Sequence, residues 1–204
     1  KLTKSGQTVK AERIVIATNG YTDSLWPGLA STVLAANSFI VATQPLSHAQ
    51  SAHILAGSET VATSQRLLLY FRKDAQNRLL MGGRGFFADP TGPSDFAHLE
   101  KSLALLFPEL SPLTYEFRWA GRVAITRDFM PHVHEPAPGI TAALGCNGRG
   151  IALCSSMGRQ IADKLLSAQA DFAYPLTSIQ PIPLHGLQRF YIGAGVAWYS
   201  LLDK

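Results

Sequence analysis

Gly145-Cys146-Asn147-Gly148-Arg149-Gly150 follows the apolar run Ile140-Thr141-Ala142-Ala143-Leu144 and leads straight into Ile151–Leu166, whose apolar residues recur at helical spacing. Three glycines in six residues between such segments read as strand, tight turn and helix. A turn of this kind lets backbone N–H groups and the positive end of a helix approach a ligand closely, which suits an electron-rich or anionic group. The spacing is G-x-x-G-x-G, not the G-x-G-x-x-G of a dinucleotide fingerprint, and no acidic residue follows at the expected distance. Taken alone, the segment reads equally well as a cofactor turn or as a glycine turn between a buried strand and its packed helix.

Upstream, Glu12–Gly20 predicts a parallel strand buried on both faces, because Ile14-Val15-Ile16-Ala17 is continuously apolar. It ends in the turn-forming Thr18-Asn19-Gly20, and a strand entering so early implies sheet partners upstream of this chain. Ser38–Gln44, Leu67–Arg72 and Arg78–Gly83 suit strands, the last two joined by a hairpin turn at Asp74-Ala75-Gln76-Asn77. Ser94–Phe107 has helical spacing at Phe96, Leu99, Leu103 and Leu106, and Tyr115–Ile125 is again strand-like. The expected fold class is α/β (α+β). A Rossmann-like layer is assembled from residues 1–35 and 121–170. Inserted in it is a β-rich domain of antiparallel sheet plus helix at 36–120, and a C-terminal extension and helix occupy 171–204. In the helical segment after the glycine turn, Ile151, Cys154, Ile161 and Leu165 are expected to face the sheet, with Gly158 permitting close approach.

The chain has 204 residues, is 47% hydrophobic and 16% charged, and carries a net charge of +4. Its cations are scattered, with one loose cluster at Arg66, Arg72, Lys73, Arg78 and Arg84. That cluster reads as solvated strand and turn positions, or as a patch receiving an acidic substrate tail, and a nucleic-acid partner is not expected. Cys146 and Cys154 form neither a disulfide framework nor a zinc set; each is expected as a buried reduced thiol, consistent with a cytoplasmic location. The six histidines show no partner spacing, and no metal site is expected, although His132 and His134 alternate on a strand-like segment. No leader peptide is read at Lys1–Lys10. Ala173–His185 is Pro-rich and expected to run extended over the surface. Phe190–Leu202 is too short to span a bilayer; a packed terminal helix is expected, a membrane partner is not, and a peripheral membrane contact is the lesser alternative.

Four segments occurring in order give the glycine turn a context: Glu12–Tyr21, Leu79–Arg84, Trp119–Pro131 and Gly145–Gly158. Together they resemble the carboxy-terminal half of the FAD-dependent amine and amino-acid oxidases, the family of glycine oxidase, sarcosine oxidase and D-amino-acid oxidase. The likeness is greatest to the γ-glutamylputrescine oxidoreductase branch and extends through Asp203. The resemblance implies FAD as cofactor. It places Thr18, Asn19, Gly20, Gly121, Arg122, Asp128, Gly145, Asn147, Gly148, Arg149, Gly150 and Ile151 beside it. Tyr70 and Arg72 flank Phe71 and so share one face of their strand, which reads as a pocket wall or a half-exposed strand face; with Arg84 and Trp119 they are the candidates for the substrate side. Sarcosine-oxidase-like members carry a flavin-linked cysteine near Gly121, so FAD is expected to be non-covalent here. Glycine-oxidase-like members have an arginine near Val123, and sarcosine-oxidase-like members a lysine near Ala152. Neither cation is present, and a buried carboxylate without a partner costs several kcal/mol. The resemblance therefore implies a small-molecule amine, such as a polyamine derivative, whose C–N bond is oxidised by hydride transfer to flavin N5, the imine then being hydrolysed; no dedicated catalytic acid or base is assigned.

The family holds the ADP part of FAD on an N-terminal βαβ unit, and nothing in Lys1–Asn37 supplies its G-x-G-x-x-G. The chain is thus expected to be the C-terminal half of a longer enzyme. The alternatives are a truncated, non-catalytic fragment or interaction module, and one subunit of a two-chain enzyme.

Overall fold

The computed structural model describes residues 8–86, 88–167 and 170–202. The expected extents at 1–7 and 203–204 lie outside them. The chain divides into two compact units, Lys1–Ala35 with Val123–His185, and Ala36–Arg122 with Gly186–Lys204.

In the first unit, β1 (Ile14–Ile16) pairs parallel to β8 (Ile140–Leu144), which pairs antiparallel to β7 (His132–Ala137), in the order β1-β8-β7. Alternate residues of β8 point to opposite faces. Ala142 and Leu144 join Ile16, Leu29, Val33 and Ala124 in one core. Ala143 and Val133 meet Met157 and Ile161 of α3 (Gly150–Leu166) in the other. The segment before His185 runs extended, tied by Thr177 N–H to the Val133 carbonyl (2.9 Å), Ile182 N–H to the Ser31 carbonyl (2.8 Å) and the His185 ring to the Val33 carbonyl (2.9 Å).

Three expectations need correction here. β1 is not buried on both faces: Ile14 is 49% and Val15 42% exposed. As the edge strand it borders only β8 among the described strands, and α3 packs over β7 and β8 instead. One of its sheet partners, β8, lies within this chain. On α3, Ile161 is buried and Leu165 packs beside it as expected, joined by Met157, but the expected stripe does not reach the helix start. Cys154 is exposed, Ile151 is 95% exposed, and nothing stands within 4 Å of a Cβ built at Gly158.

The second unit holds a five-stranded sheet in the order β3-β4-β5-β2-β6. Its strands are β2 (Val33–Pro45), β3 (Thr60–Ala62), β4 (Tyr70–Lys73), β5 (Arg78–Arg84) and β6 (Tyr115–Thr126), with Val33–Ala35 of β2 and Val123–Thr126 of β6 belonging to the first unit. A short helix α1 (His48–Ser51) follows β2 and carries a Ser47/Gln50 capping box. The pairs Phe39↔Gly83, Val41↔Met81 and Phe71↔Met81 share one face. There they pack with Leu99 and Leu103 of α2 (Ala97–Leu106) in the largest core. The pairs Ser38↔Arg84, Ile40↔Gly82, Tyr70↔Gly82 and Arg72↔Leu80 occupy the opposite face. The final helix, α4 (Gln188–Leu202), is not fully packed as expected: several of its large apolar residues are exposed.

Candidate functional site

Asn19 opens a 3-10 turn directly after β1 and sits at φ 48°, a left-handed position that asparagine tolerates better than most residues. Its Oδ1 accepts from the N–H groups of Gly145 (3.1 Å) and Cys146 (3.3 Å), and its Nδ2 donates to Cys146 Sγ (3.2 Å). One side chain thus joins the carboxyl ends of two parallel strands. Beside it, the hydroxyls of Thr18 and Thr22 lie 2.8 Å apart and Gly20 is buried.

Asn147, at φ 51°, ties the glycine turn to the end of β6. Its N–H donates to the Ala124 carbonyl (2.9 Å), and its Oδ1 accepts from Thr126 N–H (2.9 Å). Its Nδ2 donates to the Gly145 carbonyl (2.7 Å) and to Thr126 Oγ1 (3.1 Å). Gly145 has φ +86°, and a Cβ there would run into the Thr126 methyl, so the position requires glycine twice over. Gly148 has φ +78° with open space around it.

Arg149 caps α3 with its backbone only, its N–H bonded to the Cys146 carbonyl at 2.9 Å and no side chain capping the helix. Its guanidinium donates to the Phe129 carbonyl (2.8 Å), which fixes the β6–β7 turn beside the helix start. In that turn Asp128 accepts from Met130 N–H and from the His132 ring, both at 3.1 Å. Burial opposes ionisation of Asp128, but these bonds prevail and hold its carboxyl at about 2. His132 pairs with Asp128, and buried His134 donates from Nδ1 to the Thr177 carbonyl (2.7 Å), leaving Nε2 with no partner among the described residues. Burial pushes the His134 pKa below its ordinary value. No group of three or more His, Cys, Asp or Glu residues suited to a metal stands among the described residues.

The first unit therefore gathers Thr18, Asn19, Gly20, Asp128, Gly145, Asn147, Gly148, Arg149, Gly150 and Ile151 at the carboxyl ends of its strands. A 17-residue helix presents first-turn N–H groups without a side-chain cap, beside an open glycine and an almost fully exposed isoleucine. Those donors fit the electron-rich edge of a flavin pyrimidine ring, whose reduced form is negatively charged. Between β1 and α3 lies an apolar groove of about 280 Å³, lined among others by Val15, Ala17, Asn19, Met157 and Ile161.

The remaining candidates lie in the second unit. Tyr70 lies across Gly82, where a Cβ would strike its ring, and its hydroxyl is 2.6 Å from Ser38 Oγ. Arg72 and Arg84 share that sheet face with Tyr70. Arg84 is half-buried, and burial lowers its guanidinium pKa from the ordinary value. Trp119 is half-exposed on β6 and Gly121 is two residues on; Arg122 forms a two-point ion pair with Asp89, Nε to Oδ1 at 3.1 Å and Nη2 to Oδ2. Sequence reasoning missed Thr126, Ser38, Gly82 and Asp89. Only Gly82, a glycine inside an apolar strand, carried a local signal of close approach.

A family profile described as "FAD dependent oxidoreductase" (DAO) matches residues 1–164. The chain belongs to the DAO family of FAD-dependent oxidoreductases. Among its relatives, the probable oxidoreductase OrdL of Rhizobium meliloti is 33% identical over 99% of this chain and 47% of its own length. The γ-glutamylputrescine oxidoreductase of Escherichia coli is 30% identical over 99% of this chain and 48% of its own. The chain spans about half the length of the curated relatives it matches. The fold is that of iminodiacetate oxidase from Chelativorans sp. BNC1 (TM-score 0.68, 15% identity, 87% of this chain and 48% of that one). It is also that of glycine oxidase from Geobacillus kaustophilus (TM-score 0.65, 22% identity, 88% of this chain and 47% of that one).

Proposed function

We propose that this chain is the C-terminal half of a cytoplasmic enzyme that binds FAD non-covalently and oxidises a C–N bond of a small amine. The observation that carries the reading is the uncapped start of α3 beside Gly148 and Ile151, held in place by Asn19 and Asn147. Bound FAD would supply the two-electron acceptor for the C–N bond, taking a hydride equivalent at N5, with water hydrolysing the imine and oxygen or another acceptor reoxidising the flavin. The protein's share is placement and electrostatics. The α3 N–H groups support negative charge at the pyrimidine edge, and Asn19 keeps two strand ends at fixed separation. Gly121 stands where a covalent link would need a cysteine. A dinucleotide-binding βαβ unit supplied by the other half would add its strand to the outer edge of β1, where Ile14 and Val15 are exposed.

Tyr70, held by Ser38, with Arg72, Arg84 and Trp119, is assigned to the substrate side. Val123 and Ala152 offer no cation for the carboxylate of a free amino acid, which favours an amine. The name of the E. coli relative supplies the test compound, γ-glutamylputrescine, whose distant carboxylate suits Arg72 or Arg84. Steady-state assay of the enzyme with γ-glutamylputrescine, putrescine, glycine and sarcosine tests the reading. An unpaired carboxylate at roughly 3 kcal/mol predicts about a hundredfold preference in kcat/KM for the amines over glycine. Equal or better turnover of glycine would overturn the amine assignment.

A further inference from the structure

We propose that Ser38 is a positioning residue, holding the Tyr70 hydroxyl so that it donates to an acyl oxygen at the far end of the amine substrate. The proposal rests on the reading of this sheet face as the substrate side. Tyr70 stands on β4, Gly82 is its partner on β5, and Ser38 lies on β2, the next strand in the sheet. The phenol ring therefore crosses β5 to reach Ser38. Gly82 is buried and makes the crossing possible, since a Cβ there would strike the ring. At the far side the phenol oxygen lies 2.6 Å from Ser38 Oγ. A tyrosine on a sheet surface has several staggered rotamers open to it; this one is seated at the ring and tethered at the tip.

The protons give the pair a direction. Each hydroxyl carries one proton, and their mutual bond uses one of the two. Among the described residues neither hydroxyl has a further partner, so the other proton is left for a ligand. A phenol is the stronger donor of the two, so the favoured order is Ser38 O–H to Tyr70 oxygen, and Tyr70 O–H to the substrate. Such a chain polarises its outer bond and strengthens it. Charge then selects what the outer bond meets. Arg84 is the register partner of Ser38, and Arg72 shares the same face. Positive charge there repels a cationic nitrogen and favours an electron-rich oxygen. The occupant is therefore an acyl oxygen, from an amide carbonyl or a carboxylate. Without Ser38 the phenol keeps its proton but loses its fixed aim and the polarising bond.

The test is steady-state kinetics of the full-length enzyme with putrescine, N-acetylputrescine and γ-glutamylputrescine, which carry no acyl oxygen, an amide alone, and an amide with a carboxylate. The wild type should favour an acylated amine over putrescine in kcat/KM. Ser38→Ala should reduce that preference about fivefold, the worth of one neutral hydrogen bond, and chiefly through KM. Ser38→Thr keeps a hydroxyl and should restore it. Tyr70→Phe should cost at least as much, and Ser38→Ala/Tyr70→Phe no more than Tyr70→Phe alone, because Ser38 then has nothing to position. A loss shared by both acylated amines assigns the amide carbonyl as the bound oxygen; a loss confined to γ-glutamylputrescine assigns the carboxylate. A merely structural serine would depress all three amines alike. That result, an unmoved preference, or additive losses in the double variant overturns the proposal while leaving the amine reading intact. A wild type that oxidises none of the three overturns both.

Discussion

Replacing Asn147 separates two contributions of one side chain to the glycine turn. The residue sits at φ 51°, and its amide receives the Thr126 N–H and donates to the Gly145 carbonyl. Thr126 is 1% exposed, so Asn147→Ala leaves its N–H without an acceptor and without ready access to water. An unsatisfied buried donor costs about 1–3 kcal/mol, and holding alanine in the left-handed region adds about 1 kcal/mol. The expected loss for Asn147→Ala is therefore about 2–4 kcal/mol. Asn147→Gly loses the same hydrogen bonds but adopts the backbone freely, so it should retain about 1 kcal/mol relative to alanine. Urea unfolding followed by Trp26 fluorescence reads this unit, because Trp26 packs against its core; Trp119→Phe/Trp198→Phe removes the other two signals. A loss below about 0.5 kcal/mol for alanine, or a glycine variant less stable than the alanine one, would refute the reasoning.

Gly145→Ala combines a strained φ with a clash against the Thr126 methyl, and should destabilise the same unit by about 2–5 kcal/mol in the same assay. Gly82→Ala would drive the Tyr70 ring off β5; a cost of about 1–3 kcal/mol is expected, and adding Tyr70→Ala should recover part of it if the ring is the cause. His134 has a folded pKa below its unfolded value, so its contribution is complete above the ordinary value of 6.5 and is lost as pH falls below it. Melting temperature between pH 8 and about pH 5 should fall with acid, and less steeply in His134→Gln. Asp128, held at about 2, contributes above its ordinary 3.8 and loses that contribution as pH falls toward 2. Acid unfolding of Asp128→Asn should therefore start from lower stability and depend less on pH in that range.

The parts legible in the sequence are those whose chemistry is local. The turn at Gly145–Gly150 announced a strand before it and a helix after it, because positive φ at Gly145 and Gly148 is a demand glycine meets almost alone. The Asp74–Asn77 hairpin and the face shared by Tyr70 and Arg72 followed from turn chemistry and the two-residue repeat of a strand. What could not be read is burial and partnership across the chain. Apolar periodicity marks which side of a segment can be covered but not what covers it, so β1 emerged as an exposed edge, Ile151 and Cys154 at the start of α3 were left uncovered, and α4 kept several large apolar residues exposed. The bonds from Asn19 to Gly145 and Cys146, 126 and 127 residues away, and from Asn147 to Thr126 depend on strand order. Glutamine, histidine or arginine nearby would have looked no less suitable from the sequence.

The central claim, a flavin site completed by a second half, is tested most directly by visible absorption. The 204-residue chain and a form extended upstream through a dinucleotide-binding half are purified and scanned with and without added FAD and an amine. The account predicts a colourless short chain and a yellow long one that retains its flavin through desalting, releases it on denaturation and bleaches when γ-glutamylputrescine is added without oxygen. A long form that carries no flavin, or a yellow one that no amine bleaches, would contradict it.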